Sequence, residues 1–150
     1  MHIQLIWMKP SSLNDNIIWL CGEFSHRFSL ALNRRFSENG IDITPEQFSI
    51  LVVLWYRDGI TQKEISEQLN RDKTTIARVL NNMKKIGIVK QVTSPADNRA
   101  RLIYLTKKGR ALQENALKIS GAMYMGVLQG AKPKQLQTTI KLLQQMLSQL

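Results

Sequence analysis

The stretch "TQKEISEQLNRDKTTIARVLNNMKKIGIVKQ", Thr61 to Gln91, decides the fold. It carries two patterns of helical period with only "NRD" between them. Thr61 as N-cap and Glu64 three residues later make a capping box, which predicts a short helix with Ile65 and Leu69 on its inner face. Asp72 caps a second helix, on which Ile76, Val79, Leu80 and Met83 fall within about 100° of arc. Measured from that stripe, Thr74, Arg78, Asn81, Asn82 and Lys85 take the far side. Gly87 ends the helix, and the period then shortens toward two. "IVKQV" and "RLIYLT" read as short strands joined by "TSPADNRA", whose Pro, Asp and Asn are turn formers. A helix-turn-helix followed by a β-hairpin is a winged helix.

Outward from this centre the pattern is helical. Toward the N-terminus, Thr44, Pro45 and Gln47 form another capping box, with Phe48, Leu51, Val52 and Trp55 expected to face one way. Before it, a long helix runs from Asn14 to Gly40 with Ile17, Cys21, Phe24, Phe28 and Ala31 along one apolar face. After the hairpin, Leu112, Ala116, Ile119, Met123 and Val127 mark a helix that Gly121 and Gly126 should weaken toward its end. Pro133 opens a last helix, in which Leu136, Ile140, Leu143, Leu147 and Leu150 recur at spacings of four and three. The expected architecture is mainly α with a small β-hairpin wing. One domain spans 1–150, with a winged helix-turn-helix lobe at 44–110 and long flanking helical regions at 14–40 and 107–150.

The charge is concentrated where the helix-turn-helix lies. The chain carries a net +10, but residues 61–110 alone hold twelve basic and four acidic side chains, whereas residues 1–60 hold five and six. Such a local excess favours a polyanion. Cations neutralise phosphates and release counterions, while Thr, Asn and Arg reach base edges in a major groove, so double-stranded DNA is the expected partner. The N-terminal part of the second helix enters first, which nominates Lys73, Thr74, Thr75 and Arg78 as the groove-facing set. Asn82 and Lys85 lie farther along, toward the phosphates. Gln62 and Lys63, at the start of the preceding helix, add phosphate contacts.

The quoted stretch, followed by "SPADNRARLIYLTKKGR", closely resembles the multiple-antibiotic-resistance regulator (MarR) family of bacterial transcription factors. The most specific parts are "RDKTT" before the second helix, Asp97-x-Arg99 in the turn of the hairpin, and Leu105-Thr106-x-x-Gly109 after it. The order of elements from about Asn14 onward fits as well. The resemblance implies a sequence-specific regulator, most simply a repressor, that binds a pseudo-palindromic operator as a homodimer. The first helix and the last two would form the dimer interface, through Ile17 and Phe24 at one end and Leu136, Ile140, Leu143, Leu147 and Leu150 at the other. It further implies that Arg99 enters the minor groove with Asp97 as its local support, and that a small aromatic or phenolic effector releases the DNA. Asn98 stands where the family often has another Arg.

Other classes are excluded or left as rivals. The chain has two His, one Cys, no H-E-x-x-H, no G-x-G-x-x-G and no P-loop, so neither an enzyme nor a cofactor or metal site is expected. A single cysteine suits a reducing cytoplasm. The N-terminal "MHIQLIWMKPSS" is too short in apolar residues for a signal segment, and no run reaches the roughly 18 apolar residues of a membrane span. A sequence-tolerant architectural DNA binder stays open as an alternative. So does a thiol-based sensor acting through Cys21, against which stands its place on an apolar stripe, where thiols are mostly inert packing.

Overall fold

The computed structural model describes residues 12–150. Residues 1–11, which make up most of the N-terminal stretch discussed above, lie outside the described residues. Contacts divide the chain into two compact units that meet between Ile119 and Ser120.

The first unit begins with a short 3-10 turn, Leu13–Asp15, and helix α1, Ile17–Glu38. The Asn16 side chain accepts the Trp19 N–H at 3.0 Å and so caps α1. The helix stops before Gly40, whose φ of +69° is open to glycine without strain. Of its residues, only Leu32 and Phe36 are buried, Phe36 meeting the Phe48 ring edge-on at 5.1 Å. Helix α2, Pro45–Tyr56, has both halves of the Thr44/Gln47 capping box.

The inner face of α2 differs from the expected one. Gln47, Ile50, Leu51, Val53 and Leu54 are buried, whereas Trp55 is 57% exposed and Phe48 and Val52 are only half-buried. The helix is apolar nearly all round, so its period does not specify which side turns inward.

Strand β1, Ile60–Thr61, leads directly into helix α3, Gln62–Gln68, where the Thr61/Glu64 box closes in both directions. Asn70, at φ +47°, makes the tight turn; Asn tolerates this left-handed conformation better than most side chains. Helix α4, Lys73–Lys85, follows, and then strands β2, Val89–Thr93, and β3, Arg101–Leu105. The hairpin is as expected, but it belongs to a three-stranded antiparallel sheet in the order β1-β3-β2. Ile60 pairs with Ile103, and Val89 with Leu105. The centre of the core is Ile50, Leu51, Leu54, Ile65, Leu80 and Met83, each 2% exposed or less.

Helix α5, Lys107–Val127, crosses from the first unit into the second. Within the first unit, Gln113 is buried and its Nε2 donates to the Leu51 carbonyl at 2.7 Å. Helix α5 runs unbroken through Gly121 and Gly126, each of which costs it only about 1 kcal/mol against Ala. The second unit holds the remainder of α5 and helix α6, Pro133–Leu147. No residue from 120 to 150 is buried. Among the described residues no helix is long and apolar enough to cross a membrane.

Candidate nucleic-acid interface

The rotation of α4 is fixed from inside. Ile76, Val79, Leu80 and Met83 are buried, which turns Thr74, Arg78, Asn81, Asn82 and Lys85 outward, all exposed. The first turn is fixed by Asp72, whose carboxylate accepts the Thr75 N–H at 2.8 Å and the Thr75 hydroxyl at 2.6 Å. The Thr75 hydroxyl bond, and after it the Thr75 N–H, hold the Asp72 carboxyl below the usual carboxylate range. Glu64 is lowered likewise, chiefly by the Thr61 N–H and then by the Thr61 hydroxyl; Arg57 at 3.4 Å helps less.

These bonds separate the nominated residues into two groups. Thr75 is half-buried and engaged in the cap, and the Gln62 side chain donates to the Lys73 carbonyl at 3.1 Å, tying α3 to the first residue of α4. Lys63 faces Glu67 at 3.7 Å in an exposed pair, an arrangement of little energetic weight. By contrast, the side chains of Lys73, Thr74, Arg78, Asn82 and Lys85 have no hydrogen bond or ion pair among the described residues. Their donors are free to meet a ligand.

The hairpin turn is held by backbone groups and by the side chains of Ser94 and Asp97 together. Asp97 accepts the Arg99 N–H on its carboxylate and the Ala100 N–H on its carbonyl, both at 2.9 Å. The Asp97 carboxylate therefore shapes the loop instead of pairing with the Arg99 guanidinium, which stays exposed and unpaired among the described residues. Arg101 reaches back to the Thr93 hydroxyl across the hairpin.

The "LTKKGR" stretch fastens the hairpin to α4. The Thr106 hydroxyl donates to the Gly87 carbonyl at 2.7 Å and accepts the Gly109 N–H at 3.0 Å, and Lys108 Nζ donates to the Ile86 carbonyl at 2.8 Å. A Cβ on Gly109 would run into the Ile88 carbonyl oxygen, so only glycine lets α5 approach so closely. Asp58, which no local pattern singled out, is the other fastening. Its Oδ1 accepts the N–H groups of Gly59 and Leu105, both at 3.1 Å, and its Oδ2 accepts from Arg110 at 2.6 Å.

Elsewhere, Ile17 is half-buried and Phe24 is 53% exposed. On α6, Leu136 and Leu143 are half-buried and Ile140 and Leu147 exposed. Leu150 departs from the expected stripe: α6 ends at Leu147, and Leu150 lies wholly exposed beyond it. Cys21 also departs from expectation, being exposed and not packed in an apolar core. The first unit further contains a cavity of about 290 Å³ walled by Ser25 and Ser29 of α1, by Pro45, Glu46 and Ser49 of α2, by Leu69 and Arg71, and by Thr75, Ile76 and Val79 of α4.

A helix-turn-helix with a free polar face, flanked by a three-stranded wing, defines a winged-helix protein. Residues 43–100 match the family described as the MarR family. The chain is 33% identical over 110 residues to the organic hydroperoxide resistance transcriptional regulator of Bacillus subtilis (strain 168), covering 73% of this chain and 75% of that one. In fold it is similar to the S. aureus MepR–DNA complex, with a TM-score of 0.82 at 24% identity over 92% of this chain and 99% of that one. It is similar also to CouR of Rhodococcus jostii RHA1 bound to p-coumaroyl-CoA, with a TM-score of 0.81 at 22% identity over 90% and 94% of the two chains. The protein belongs to the MarR family. It is a DNA-binding transcriptional regulator and not an enzyme.

Proposed function

We propose that the protein is a homodimeric, sequence-specific repressor of the bacterial cytoplasm that binds a pseudo-palindromic operator and is released by a small-molecule effector. The observation that carries DNA reading is the row of unpaired donors on α4. Lys73, Thr74 and Arg78 address base edges, Arg78 being able to hold a guanine edge with two hydrogen bonds. Asn82, Lys85, Gln62 and Lys63 serve the phosphates, and Arg99 reaches the flanking minor groove from a turn shaped by Asp97. Thr75 contributes through the cap, its hydroxyl being spent on Asp72 and not on a base.

The lobe at 44–110 reads DNA, and the helices at 14–40 and 107–150 pair two copies. What supports pairing is the apolar edge of α6, where no residue is buried in the single chain, together with exposed Trp19, Leu20 and Phe24 on α1. A two-fold dimer sets half-sites about 10 to 10.5 bp apart or a multiple of that. The cavity beside α4 supports effector control. Its size suits a small aromatic or phenolic molecule, Arg71 and three serines offer polar partners, and CouR is a relative in fold that holds a ligand.

Selection of duplexes from a random-sequence library at near-physiological salt tests this reading. An enriched inverted repeat, bound at least about 10³-fold above random DNA and losing base preference in Arg78→Ala, is the expected result. Uniform binding would instead make the protein an architectural DNA binder.

One observation favours a second input. Cys21 is exposed on α1, and the Bacillus subtilis relative is named for organic hydroperoxide resistance. On this reading a hydroperoxide oxidises Cys21 and loosens DNA binding. Peroxide-dependent release that persists in Cys21→Ser would refute it.

A further inference from the structure

We infer that Asp58 is a positioning residue for DNA binding: through Leu105 and Arg110 it sets the root of the wing, and so the place of Arg99, relative to α4. The inference rests on the reading of the wing as a DNA contact.

The sheet edge explains why a side chain is needed there. Residues 103 and 105 of β3 present their backbone groups to the same edge, the one facing β1. β1 pairs with β3 only at Ile60 and Thr61, and the Gly59 N–H, bonded to the Ile103 carbonyl at 3.0 Å, extends that pairing by one step. The Leu105 N–H lies beyond the reach of the strand. Asp58 Oδ1 takes it, doing with a carboxylate what a longer strand would do with a carbonyl. Gly59 makes this possible, for at φ +75° a Cβ there would stand 2.6 Å from the Tyr104 ring. The turn is pressed against the wing strand.

The second carboxylate oxygen links the wing to α5. Arg110 donates to Oδ2 from the first turn of that helix, and the Asp58 side chain is only 20% exposed, so the pair is partly shielded from water. The same turn grips the C-terminal end of α4 through Thr106 and Lys108. One helical turn therefore holds both DNA-reading elements, the α4 side by Thr106 and Lys108 and the wing side by the Asp58–Arg110 pair. Arg99 stands six residues from Leu105, roughly 20 Å at about 3.3 Å per residue. A tilt of about 10° at the root displaces it by about 3.5 Å, beyond hydrogen-bond tolerance.

A double-mutant cycle on the tightest duplex recovered from the random library tests the inference. Arg99→Ala is expected to weaken binding about tenfold in the wild-type background and less than about threefold in Asp58→Asn, since the contact is already misplaced there. Arg78→Ala, which acts in the major groove, should cost the same factor in both backgrounds. Equal tenfold losses from Arg99→Ala in both backgrounds would overturn the positioning role. No loss from Arg99→Ala in the wild type would overturn the wing reading and this inference with it. Arg110→Gln, which leaves the backbone bonds of Asp58 intact, repeats the cycle should Asp58→Asn fail to fold. Arg110→Lys should then restore part of the coupling.

Discussion

The lobe from α2 to β3 and the segment from Ser120 to Leu150 are apolar in similar proportion, yet they treat their apolar side chains in opposite ways. In the lobe, the stripe of α4 disappears into the core, with Leu80 and Met83 at 2% and 0% exposure. In the C-terminal segment, the Leu and Ile of α6 remain half or fully exposed. Amphipathic pattern is common to both, so pattern alone says that a face will be covered and not by what. The lobe covers most of its own, whereas the apolar edge of α6 stays open among the described residues.

The sharpest way to break the comparison is Leu143→Glu. If a second copy covers α6, sedimentation should show a shift from dimer to monomer, and operator affinity should fall by about 10²-fold or more as the linked second half-site is lost. An unchanged mass would show that α6 is solvent-facing. Leu80→Ala probes the self-sufficient lobe and should cost about 2 to 5 kcal/mol in denaturant unfolding. The same substitution at Ile140 should be felt only to the extent that the dimer dissociates, and so should depend on protein concentration.

One helix offers a finer contrast. Gly109→Ala should destabilise by about 1 to 3 kcal/mol, because its new methyl group meets the Ile88 carbonyl. Gly121→Ala, with nothing within 4 Å, should stabilise by about 0.5 to 1 kcal/mol. Thermal melts of the two variants should move in opposite directions. A loss at Gly121 would place a partner surface against it.

The smallest effect concerns acid. Asp72 and Glu64 titrate below their ordinary values in the folded chain, so the stabilisation from these caps is fully present above the unfolded carboxylate range, near pH 4, and is lost as pH falls through the lowered values. Melting between pH 6 and pH 3 should show a shallower acid decline in Asp72→Asn than in the wild type. Identical profiles would deny Asp72 any part in it.

Local signals in the sequence were the legible ones. The three caps at Thr44, Thr61 and Asp72 each involve residues at most three apart, and each appears with its bonds made. The stripe of α4 was legible because its far side is polar. The face of α2 was not, since apolar side chains surround it. β1 escaped because two residues carry no period, and its partner lies about forty positions away. Asp58 escaped for the same reason, its bonds reaching Leu105 and Arg110 at separations of 47 and 52 residues. Cys21 sits on an apolar stripe, but a stripe reports only that a face is greasy, and this one is left open by its own chain. The sorting of Gln62 into a structural bond, with Arg78 left free, follows from how α3 and α4 meet in space and has no local pattern.

The cavity beside α4 has a thermodynamic corollary. Thr75, Ile76 and Val79 are at once its wall and part of the helix that carries Arg78. A guest there and DNA at the helix would act on one shared element, and their coupling free energy must be reciprocal. Whatever factor the guest takes from DNA affinity, DNA takes from the guest. Operator-bound protein would therefore answer only to higher guest concentrations than free protein does, so the number of occupied sites in a cell would itself set the threshold of the response.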